Sequence, residues 1–131
     1  MILSLKRLSP VSDGVHRVKV TNITETKDVP TKYGVKDRID FSFLLINEKG
    51  ENEFTCSMYW SSHEESSYAL FVKYTLSNFG WSAQQGIETD ELVGKTVNAK
   101  FHTYRNKNGD EKPSLEWLAP YNNTMEVNSN D

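Results

Sequence analysis

The chain has 131 residues and a net charge of −3, with 37% apolar and 25% charged side chains, a composition that reads as one soluble globular domain. No apolar run is long enough to span a membrane, and charges at Lys6 and Arg7 interrupt the stretch a secretory signal would need. A single cysteine, Cys56, excludes an internal disulfide and fits a reducing, cytoplasmic setting, where the Asn22 and Asn122 sequons have no role.

From Gly14 to Thr24 the residues alternate, Val18 and Val20 on one face and Arg17 and Lys19 on the other, which predicts a half-buried strand. Residues 27–36 contain Pro30 and Gly34 and lack periodicity, so they read as a loop. A second strand places Ile39, Phe41, Phe43 and Leu45 on one face and Arg38, Asp40 and Ser42 on the other. Asn47-Glu48-Lys49-Gly50 then forms a tight connection to a third strand with Phe54, Cys56, Met58 and Trp60 inward and Thr55, Ser57 and Tyr59 outward.

The period changes after Trp60. Ser61 with Glu64, and Ser62 with Glu65, are overlapping capping boxes. Tyr68, Phe71, Val72, Thr75, Leu76 and Phe79 follow at helical spacing, and Gly80 ends the helix. Residues 81–94 form a connection with a short turn over Thr89–Leu92. Residues 95–104 alternate again, with Val97, Ala99 and Phe101 inward and Lys100, His102 and Tyr104 outward. Asn108-Gly109 is a hairpin turn leading to a last strand, Pro113 to Ala119, with Leu115 and Trp117 inward.

The order β-β-β-α-β-β is that of an all-β, five-stranded OB-fold Greek-key barrel with one helix between strands three and four. The expected organisation is an N-terminal arm over 1–13, the OB domain over 14–120 and a flexible tail over 121–131. On such a barrel the charge asymmetry acquires a place. Residues 14–40 and 95–112 together hold eleven basic and six acidic side chains, against four and twelve in the remainder. The loops at 27–36 and 105–112 are those that flank the binding face of an OB-fold. A single strand of nucleic acid needs cations along its phosphates and aromatic rings beneath its bases. The candidate contacts are Arg17, Lys19, Lys32, Lys36, Arg38, Lys100, Arg105, Lys107 and Lys112, with Tyr33, Tyr59 and Tyr104 as stacking platforms. Catalysis finds little support. His16, His63 and His102 are scattered without metal-site spacing, Cys56 faces inward, and Glu64 and Glu65 are explained by capping, so neither an enzyme nor a cofactor is expected.

Gly14-Val15-His16-Arg17-Val18-Lys19-Val20, Arg38-Ile39-Asp40-Phe41-Ser42-Phe43 and Leu92-Val93-Gly94-Lys95-Thr96-Val97 carry a further likeness, as do Tyr104–Gly109 and Leu115-Glu116-Trp117-Leu118. In these motifs residues 14–120 resemble the single-stranded-DNA-binding OB-fold proteins encoded by phages and mobile elements of Gram-positive bacteria. The resemblance implies sequence-independent binding of single-stranded DNA in replication or recombination. It also implies homo-oligomers, dimers above all, for which Leu44 and Leu118, apolar on outward parities, are the candidate interface residues. The alternative is an OB barrel that docks a replication or recombination protein.

Overall fold

The computed structural model describes residues 8–47 and 50–121. The expected tail beyond Tyr121 and residues 48 and 49 of the second turn lie outside them. Five antiparallel strands, β1 (Gly14–Thr31), β2 (Gly34–Asn47), β3 (Gly50–Tyr59), β4 (Thr96–Arg105) and β5 (Glu111–Pro120), form one sheet in the order β3-β2-β1-β4-β5. Helix α1 (Ser67–Phe79) and the single-turn α2 (Thr89–Leu92) lie between β3 and β4. None of the helices among the described residues is long and apolar enough to cross a membrane.

Strand β1 serves both halves of the sheet. Its first residues pair with β4, Gly14 opposite Phe101 and Val18 opposite Val97, and from Val18 onward it pairs with β2. A bulge between Val20 and Asn22 bends it there. The inward alternation then closes one core. Phe43, Phe54 and Phe101, from three strands, meet with ring centroids 5.5–5.6 Å apart, and Phe71 of α1 approaches Phe41 at 5.2 Å. Cys56 lies in this core opposite Phe41. Burial pushes its thiol up to about 12, so it is a neutral packing group.

The edge strands β3 and β5 approach one another, and α1 packs along β5. Both backbone groups of Leu118 are taken by helix side chains. Its N–H donates to Thr75 Oγ1 at 3.1 Å, and its carbonyl accepts from Asn78 Nδ2 at 3.0 Å. Thr75 is fully buried, so this bond replaces a ladder partner that water cannot supply.

Four sequence expectations are corrected. Residues 27–36 are not a loop: β1 and β2 continue as a two-stranded ribbon, Val29 opposite Lys36 and Thr31 opposite Gly34, with only Lys32 and Tyr33 in the turn. The ribbon extends past the core, so neither face is buried and no alternation marks it. A second irregularity between Thr26 and Val29 puts Asp28 at φ 57°. The Asp37 carboxylate steadies that turn by accepting the Asp28 N–H at 3.1 Å and pairing with Lys27 at 3.4 Å. Those contacts, the backbone N–H foremost, hold the Asp37 carboxyl below its ordinary range.

Second, the helix starts at Ser66, not Ser61 or Ser62. Ser61 Oγ accepts the His63 N–H, and His63 Nδ1 accepts that of Glu65, so these donors are used by a turn. Ser66 Oγ then caps the Ala69 N–H at 3.1 Å. The stop is as expected: Gly80, at φ 71°, donates to the carbonyls of Leu76 and Ser77.

Third, Glu116 forms a bulge on β5, because Lys100 opposes Trp117 while Phe101 opposes Leu115. The parity flips beyond it. Leu118 becomes fully buried and Trp117 moves to the outer face, so Leu118 is no interface residue. Leu44 keeps its outward, half-buried place. Trp60, the fourth case, follows β3 and is 50% exposed, tilted against Tyr68 rather than packed in the core.

The N-terminal segment is docked where it is described. Val11 is 4% exposed within the core cluster, and Asp13 Oδ1 accepts the Thr103 N–H at 2.6 Å.

Candidate functional site

Three of the expected aromatic residues are large exposed rings, and each has a cation beside it. Tyr33, at the ribbon turn, is 79% exposed, and Lys32 Nζ lies 5.1 Å from its ring centroid. That turn is set by Thr31, whose hydroxyl accepts the Tyr33 N–H at 3.2 Å and donates to the Gly34 carbonyl. Tyr59, 41% exposed at the end of β3, is the cross-strand partner of Arg38. Tyr104, 50% exposed on β4, is the cross-strand partner of Lys112. Directly opposed residues of an antiparallel pair share a face with Cβ atoms roughly 5 Å apart, so Tyr59 and Arg38, and likewise Tyr104 and Lys112, are neighbours on one face. A fourth pair, Lys100 opposite Trp117, arises only through the Glu116 bulge.

The outer face of β1–β3 between these pairs is polar. Arg38 Nε pairs with Asp40 at 3.1 Å, the Ser57 hydroxyl donates to Asp40, and Ser42 and Thr55 hydroxyls meet at 3.1 Å. Asp40 thus neutralises part of Arg38 on the face it shares with Tyr59. Lys27, clamped between Glu25 and Asp37, is shifted to a higher pKa, the Glu25 bond contributing most.

The other expected contacts are dispersed. Arg17 donates from Nη1 to the Tyr121 hydroxyl at 2.7 Å and lies 5.1 Å over that ring. Lys19 is exposed on β1 between Leu44 and Thr96. Lys36 sits on the ribbon opposite Val29. Arg105 pairs with Glu111 at 3.8 Å, and Lys107 is exposed in the β4–β5 turn. That turn is longer than Asn108-Gly109 alone implies. Asn106 Oδ1 accepts the N–H groups of Asn108 and Asp110, closing a loop from Asn106 to Asp110 with Gly109 at φ 81°. Strand register places the ribbon tip and this turn beyond opposite ends of β1, while β1 and β4, the strands of the two basic segments, pair directly from Gly14 to Lys19.

Sequence reasoning missed Trp117 as an outer-face aromatic. A signal existed, since Leu115 and Leu118 are both apolar at a spacing strict alternation does not allow. No group of three or more potential metal ligands occurs among the described residues. No family model matches the sequence, and no curated protein matches it either.

Proposed function

We propose that this chain is an OB-fold protein that binds single-stranded DNA largely independently of sequence, in replication or recombination. Support for the fold comes from the strand order β3-β2-β1-β4-β5, a β1 shared between the two halves, and a helix between β3 and β4. One observation carries the ligand: three exposed tyrosines, Tyr33, Tyr59 and Tyr104, each stand beside a cation, Lys32, Arg38 and Lys112. A nucleotide offers the matching pair, a flat base and a phosphate. Stacking contributes about 1–3 kcal/mol per base and is indifferent to base identity.

The test is a titration with oligo(dT) followed by tryptophan fluorescence, since Trp60 and Trp117 are both partly exposed. Binding is expected to be micromolar or tighter at low salt and to weaken by a log–log slope of about −0.7 per neutralised phosphate. Tyr33→Ala and Tyr104→Ala should weaken binding at constant slope, whereas Lys107→Ala should make the slope shallower. No binding at low salt would refute the proposal and leave the protein-docking alternative.

A further inference from the structure

A groove of 290 Å³ lies between α1 and the outer face of β4–β5. One wall is a helical stripe separate from the core stripe: Leu70 and Tyr74, one turn apart, are 36% and 48% exposed. Trp117, turned outward by the Glu116 bulge, lines the same groove from β5, with Lys100 as its cross-strand neighbour. A groove that holds an indole, a phenol and a leucine side chain offers apolar surface to one flat ring. The volume falls just under the roughly 300–1,000 Å³ of pockets that enclose drug-sized ligands, so a single base fits the scale and a run of bases does not.

Glu116 gives the slot a chemical preference. Its Oε2 lies 3.6 Å from His102 Nδ1, within ion-pair range but too far for a hydrogen bond, so the carboxylate keeps its acceptor positions. A carboxylate accepts only. Thymine presents one N–H between two carbonyls that repel it, and adenine and cytosine present an amino group next to a ring acceptor. Guanine alone presents two adjacent donors, N1–H and the N2 amino group, which one carboxylate takes together. Lys100 at the same groove supplies a cation for the phosphate of that nucleotide.

We infer that this groove is a subsite for one unpaired guanine within a bound single strand, stacked between Trp117 and the Leu70–Tyr74 wall and held by Glu116. The inference rests on the single-strand reading above and adds a base preference to it. It is tested by comparing a dT oligonucleotide of about 15 residues with the same oligonucleotide carrying one central dG, dA or dC. The dG strand should bind about tenfold tighter than the dT strand, as expected of one bidentate base contact, with dA and dC close to dT. Glu116→Gln and, separately, Tyr74→Ala should bring the dG-to-dT affinity ratio down to about one. Equal affinity of all four strands for the wild-type protein would overturn the inference and leave the single-strand reading standing. A guanine preference that survives both substitutions would place the subsite elsewhere and overturn it too. Failure of every strand to bind would end both.

Discussion

Replacing Thr75 by Val is the sharpest probe of how the helix is joined to the sheet. The substitution keeps the side chain's shape and removes the oxygen that accepts the Leu118 N–H at 3.1 Å. Thr75 and Leu118 are both fully buried, so water cannot take over. An orphaned buried donor costs about 1–3 kcal/mol, and for a domain near 100 residues each kcal/mol lowers Tm by about 4 °C or more. A loss of roughly 4–12 °C is therefore expected. Asn78→Ala removes the companion bond to the Leu118 carbonyl. Asn78 is exposed, so water can replace its amide, and the loss should be smaller, about 0.5–1.5 kcal/mol. Urea unfolding with a constant m-value is the assay, because a changed slope would mean altered compactness rather than a lost bond. A Thr75→Val protein within about 0.3 kcal/mol of wild type would refute the claim that α1 substitutes for a strand at the β5 edge.

Further outcomes follow from single groups. The Thr21 hydroxyl at the β1 bulge is buried without a protein partner, so Thr21→Val should raise stability by about 1 kcal/mol in the same urea assay. Cys56, 2% exposed with its thiol raised to about 12, should react with a disulfide reagent at pH 8 only after denaturation. Because its ordinary value is 9.0, unfolded chains ionise first, and stability should fall as pH rises above about 9. The sign is opposite at Asp37, whose carboxyl is lowered in the fold. Its contribution is present above the ordinary value of 3.8 and disappears as pH falls below that, through the lowered folded value. A lower protection factor for the Asp28 amide at acid pH, relative to the intrinsic exchange rate at that pH and reproduced at neutral pH by Asp37→Ala, is the expected readout.

The elements read correctly from sequence are those whose residues answer to the core. Ile39–Leu45 and Val97–Phe101 alternate because one face packs against the aromatic cluster, and Gly80 ends α1 because its left-handed turn suits glycine. What escaped the reading has a different cause in each case. The ribbon has no core face, so Pro30 and Gly34 outweighed its pairing. The Glu116 bulge is one inserted residue, and it exchanges Trp117 for Leu118 without any change in composition. Among Ser61, Ser62 and Ser66, all plausible caps, the choice depends on which N–H groups the preceding turn consumes. At the candidate site, Tyr59 and Tyr104 were legible as outward residues, but their partners Arg38 and Lys112 depend on cross-strand register, which no single segment contains.

The ribbon formed by the end of β1 and the start of β2 has one more consequence. From Asp28 to Val35 none of its residues is buried, and the irregularity at Asp28 interrupts the regular register between it and the rest of the sheet. Its length is thus free of packing constraint. Adding or deleting a cross-strand pair on each arm would move Tyr33 outward or inward by about 3.3 Å per residue and leave every core contact in place. Reach and stability are independent variables in this chain, so a lineage, or a designer, can change how far Tyr33 projects from the sheet without having to refold the protein.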